Sequence, residues 1–156
     1  MSFWIQGPLQ FLHIFLAIFW FGSILYTDLI LIPVVQGLST EAQGAISGPI
    51  GQRTTRVIIP VSMAVVTLGL LRGVAAGVLG RLGSSYGITF VLSLILGAVL
   101  IVWGLRVIGP AAERLNAIAP GPELEAAIAR IKTLALVELA MFTLALVFMI
   151  LMRFGY

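Results

Sequence analysis

A chain of 156 residues that is 60% hydrophobic and only 10% charged cannot be a water-soluble globule, because no core of this size could hide so much apolar surface. Helices that face lipid need not hide it. The net charge of +3 comes from nine basic residues scattered singly, which excludes the clustered basic face of a nucleic-acid binder, and the lack of cysteine excludes disulfides, iron–sulfur clusters and thiolate catalysis.

The first apolar stretch, Leu9 to Val35, has no charge before Asp28 and is long enough for a helix to cross a bilayer. It is longer than a signal-peptide core and has no basic stretch before it, so it is expected to stay in the mature protein. At helical spacing His13, Leu16 or Ala17, Trp20, Ser23 and Thr27 fall on one face. An ionisable residue inside a span costs about 2.5 to 3.5 kcal/mol on insertion scales and faces the bundle interior. His13, the chain's single histidine, is therefore either hydrogen-bonded to a neighbouring helix or a ligand. Neutral imidazole is a common axial ligand of haem iron, and with one histidine per chain a haem would take Met, water or a second copy as its other ligand or stay five-coordinate.

Gln36 to Thr55 is rich in Gly, Ser, Thr and Gln and reads as a loop, with Gly48-Pro49 as a breaker. The second span is predicted over Arg56 to Gly80. Gly69, Gly73 and Gly77 recur there every four residues, a spacing that admits another helix or a flat ligand. Arg72 interrupts this span and needs an anion, such as a haem propionate, or must snorkel. The third span, Gly87 to Ile108, is almost entirely apolar, with Trp103 placed as an interfacial aromatic.

From Arg106 to Lys132 the chain turns polar, punctuated by Gly109-Pro110 and Pro120-Gly121-Pro122. Pro122, followed by Glu123 and Glu125, is a good helix start. A helix from there to Met152 would be about 45 Å long, so the span proper is placed at 130–153 and the hairpin 106–132 is expected to protrude. Arg53, Arg56, Arg106, Arg114, Arg130 and Lys132 lie towards one side, against Arg72, Arg81 and Arg153 on the other. That bias puts the hairpin in the cytoplasm and both termini outside.

Glu138 lies in the fourth span, at the same depth as Asp28, Arg53 and Arg56. These residues read as a structural ion-pair cluster or as a proton route, with Arg56 and Glu138 as the pair across helices two and four. Met63 and Met141 are donors soft enough for copper(I), or simply fill gaps.

Several of these residues have a familiar arrangement. His13-Ile14 followed by Trp20-Phe21-Gly22 and Tyr26, then Arg53, Arg56-Val-Ile-Ile-Pro60 and Gly69, and finally Glu138 resemble the HemJ and CopD-like group of small bacterial four-helix membrane proteins. Two places differ: Gly87 to Gly104 has no basic residue, and Val137 stands where HemJ-type proteins have asparagine. The resemblance implies a haem-b-binding bundle in the bacterial cytoplasmic membrane with His13 as axial ligand. For HemJ-like proteins it implies protoporphyrinogen oxidation, and for CopD-like proteins copper uptake or resistance.

The expectation is thus an all-α integral membrane four-helix bundle, as a homodimer or as a subunit of a larger complex. His13 would be the metal ligand, with Trp20, Gly69, Arg72 and Gly73 lining a cofactor site and Arg56 and Glu138 as the acting charges.

Overall fold

The computed structural model describes residues 3–115, 118 and 121–156, which form four long apolar rods and no strand. The first rod is α1 (Phe3–Tyr26), a π turn over Thr27–Leu31 and α2 (Ile32–Gln36) in one run. The second is α3 (Thr40–Ala75). The third joins α4 (Ser85–Trp103), a second π turn over Gly104–Ile108 and α5 (Gly109–Leu115), and the fourth is α6 (Pro122–Arg153). Each is apolar and long enough to cross a membrane.

Two stretches expected to break are helical instead. The Gly/Ser-rich segment taken for a loop belongs to α3, which starts at Thr40, capped by Ser39 Oγ accepting from Ala42 N–H at 3.4 Å. Pro49 sits inside that helix, so the Gly48-Pro49 breaker does not operate. An interior proline costs about 3 kcal/mol, which a helix of 36 residues can absorb. Gly109-Pro110 likewise interrupts nothing, because Gly109 N–H bonds back to the Gly104 carbonyl across the π turn and α5 continues.

The second span ends earlier than predicted. α3 stops at Ala75, and Gly77 takes φ +77°, a left-handed conformation that favours glycine after a helix. A 3₁₀ turn over Val78–Arg81, with Val78 fully buried, then leads into α4. Ser84 caps α4 by accepting from Gly87 N–H at 3.2 Å. A side chain at Gly87 would collide with the backbone of Arg81 and Leu82, which explains the glycine there. At its predicted start, Pro122 opens α6, whose 32 residues span about 48 Å, well beyond a hydrocarbon core of about 30 Å. Residues 116, 117, 119 and 120, at the tip of the expected hairpin, lie outside the described residues.

α1 packs chiefly on α3, and α4 on α6, and the two pairs join through α3 with α4 and more narrowly through α1 with α6. Each rod gives one buried residue to a common layer: Trp20, Val65, Leu100 and Phe142. Trp20 meets Phe142 edge-on at 4.8 Å between ring centroids. Beyond this layer most large apolar side chains point outward, including Phe11, Ile18, Leu136 and Ile150. Water would expel such a surface, whereas acyl chains match it.

Candidate functional site

His13 lies on α1 about 10 Å before the Trp20 layer, counting seven residues at 1.5 Å. Its half-buried ring turns towards α3, where Nδ1–H donates to the Val65 carbonyl at 2.9 Å. One turn further along α3, Gly69 makes room for the ring: a Cβ there would stand 3.0 Å from His13 Cε1. A second turn brings Arg72 close enough to act on the imidazole electrostatically. Val65, Gly69 and Arg72 follow the i, i+4, i+7 spacing of one helix face, so the regular geometry of α3 assembles this cluster. With Nδ1–H committed to a carbonyl, Nε2 carries the free lone pair, which is the tautomer a metal-binding histidine adopts.

The glycine column has a different use from the one expected. Gly73 receives the ring of Phe90 from α4 so closely that any Cβ would collide with it, and Gly69 receives His13 itself. Gly77 lies beyond the helix. Gly69 and Gly73 are therefore notches filled by the protein's own rings, and they offer no cradle to a flat macrocycle. Trp20 is 5% exposed and packs in the central layer, as a core residue and not as a cofactor contact.

Towards the other end of the bundle Glu138 is buried, 4% exposed, and its electrostatic neighbour is Asp28 from the π turn. The expected pair with Arg56 is not formed: Arg53 and Arg56 are both exposed, and no ion pair joins either to Glu138 among the described residues. Arg56 precedes Val65 by nine residues, about two and a half turns, which turns it away from the bundle axis. The charged group that Glu138 senses is thus another carboxyl, carried by the π turn that follows α1.

The sulfur donors are not gathered around His13. Met63 is 57% exposed, on the side of α3 opposite Val65, while Met141 packs against the central layer. No group of three His, Cys, Asp or Glu residues is placed to hold a metal among the described residues. A groove between α1 and α3 and another on α4 are both lined by residues other than His13.

Two features were missed from the sequence. Gln10 lies one turn before His13, and its buried Oε1 has no hydrogen-bond partner among the described residues. The 10, 13, 17, 20 spacing would have put it on the histidine's face. The π turn that carries Asp28 leaves no comparable sequence signal, since its residues are ordinary helix-compatible apolar ones on either side of the acid.

No protein-family model, no curated protein and no solved structure matches the chain.

Proposed function

We propose that this protein binds b-type haem through His13 and acts in electron and proton transfer, similar to the HemJ/CopD-like group. The reading rests on one observation, the 2.9 Å bond from His13 Nδ1–H to the Val65 carbonyl, which fixes the ring and leaves Nε2 with the free lone pair. Tested against the group it would hold, the donor fits and the glycine notches do not. His13 would supply the axial nitrogen and Arg72 a cation for a propionate, with no part for Gly69 or Gly73. Bound haem would contribute reversible one-electron exchange at iron. The chain's own share is then the orientation of His13 and, at the opposite end, two neighbouring carboxyl groups, Asp28 and Glu138, able to take up and release a proton.

Because each chain has one imidazole, any further ligand to a bound haem would come from Met, water or a second copy, and the last of these would make the protein a homodimer or part of a larger membrane complex. The distribution of basic residues favours both termini outside, and the resemblance to the HemJ/CopD-like group implies the bacterial cytoplasmic membrane. The test is an absorption spectrum of detergent-solubilised protein from haem-sufficient cells. A Soret band present in the wild type and lost in His13→Ala supports the reading. Colourless wild-type protein rejects it.

A further inference from the structure

The groove between α1 and α3 has a volume of about 460 Å³ and a graded lining. Its inner half, nearer the central layer, is apolar: Ile18 and Phe19 from α1, Val57 and Ile58 from α3. Towards the membrane face the wall becomes Ser23, Tyr26 and Thr27 opposite Arg53 and Thr54. The gradient follows from register, since higher numbers on α1 lie beside lower numbers on α3.

Apart from Leu31 at its outer edge, the polar half presents groups that can donate hydrogen bonds, and one is a cation. None of the five makes a side-chain hydrogen bond to a described residue, whereas Ser62, Ser93, Thr133 and Thr143 each return their hydroxyl to a carbonyl of their own helix. Nor is Arg53 neutralised: it has no acidic partner among the described residues, and Asp28 faces Glu138 instead. Arg53 lies four residues inside the start of the second span, Pro49–Ala75, at the level where headgroups meet acyl chains. Basic pockets between spanning helices at that level attract anionic headgroups.

We propose that this groove is a binding site for one anionic phospholipid of the surrounding leaflet, its phosphate on Arg53 and the flanking hydroxyls and an acyl chain along Ile18, Gly22 and Val57. Its polar half lies beyond Trp20, on the other side of the central layer from His13, and His13 does not line it.

The test is native mass spectrometry of the full chain in mild detergent, with phosphatidylglycerol or phosphatidylcholine of matched acyl chains added at equal concentration. One phosphatidylglycerol per chain is retained, about fivefold over phosphatidylcholine, the margin expected of a single basic residue near the surface. Arg53→Gln removes that preference, Arg53→Lys keeps most of it, and Arg114→Gln, exposed and away from the groove, leaves it intact. Gly22→Leu fills open space without touching the arginine and abolishes retention of the lipid. Equal retention of the two lipids, or an Arg53→Gln protein that behaves like Arg114→Gln, overturns the proposal. Retention of soluble glycerol phosphate as strong as that of the lipid also overturns it, since the occupant would then be a free phosphate, and so does occupation of the groove by a co-purifying polypeptide.

Discussion

His13 and Val65 are joined by a hydrogen bond that crosses from α1 to α3, imidazole Nδ1–H to backbone carbonyl at 2.9 Å, and Gly69 is what allows the ring to come so near. Two kinds of change should therefore disturb the histidine. His13→Ala removes the bond and, with it, about 1 kcal/mol of stability in addition to any bound haem. Gly69→Ala leaves the histidine in place but pushes its ring off α3, and should shift or weaken the Soret band where Gly73→Ala does not. Spectra of the three variants, recorded with their melting temperatures, check both statements.

Gly73 and Phe90 interlock, and a methyl group at Gly73 would occupy space that the ring already fills. Gly73→Ala should destabilise the bundle by about 1 to 3 kcal/mol through overpacking. Replacing the ring at the same time, as Gly73→Ala with Phe90→Leu, should restore part of the loss. Thermal unfolding in detergent of the two single variants and the double variant measures the coupling, and additive losses would show that the two positions do not touch.

The central layer should be the most sensitive part of the molecule. Trp20→Ala or Phe142→Ala removes one partner of the edge-on pair at 4.8 Å and should cost about 3 to 5 kcal/mol, while Trp20→Phe should cost much less. Retention of the folded fraction after mild heating separates these cases.

Glu138 is buried beside Asp28 and forms no ion pair with an arginine among the described residues. Glu138→Gln should accordingly change stability by no more than about 1 kcal/mol, like Glu123→Gln at the exposed start of α6, because no opposite charge is stranded. Breaking a buried ion pair would cost about 3 to 5 kcal/mol, so a loss of that size would reveal a partner for Glu138. If the carboxyl pair carries protons, Glu138→Gln and Asp28→Asn should both slow proton uptake in reconstituted vesicles while the fold survives.

The four spans were legible in the sequence because lipid imposes a length and a composition that little else produces. The inward turn of His13 and Glu138 was legible for a related reason, the expense of leaving either in acyl chains. Their partners were harder to read. Depth alone suggested that Arg56 would reach Glu138, but angular position around α3 decides the matter and turns Arg56 outward. The composition of Gln36 to Thr55 and the Gly48-Pro49 pair argued for a loop, whereas α3 begins at Thr40 under the Ser39 cap and runs through both. Glycines at four-residue intervals indicate close approach without naming the visitor, and only the packing of α4 shows that Phe90 is the visitor at Gly73.

The small number of enclosed side chains also has an evolutionary consequence. With Trp20, Val65, Leu100 and Phe142 as the meeting point of four rods and most other large apolar residues facing outward, substitution among Leu, Ile, Val and Phe over most of the surface should be nearly neutral. Among positions that serve packing alone, selection can act strongly on the few that interlock, Gly73, Val78 and Gly87 among them. Descendants of such a protein would drift apart quickly in letters while keeping their shape.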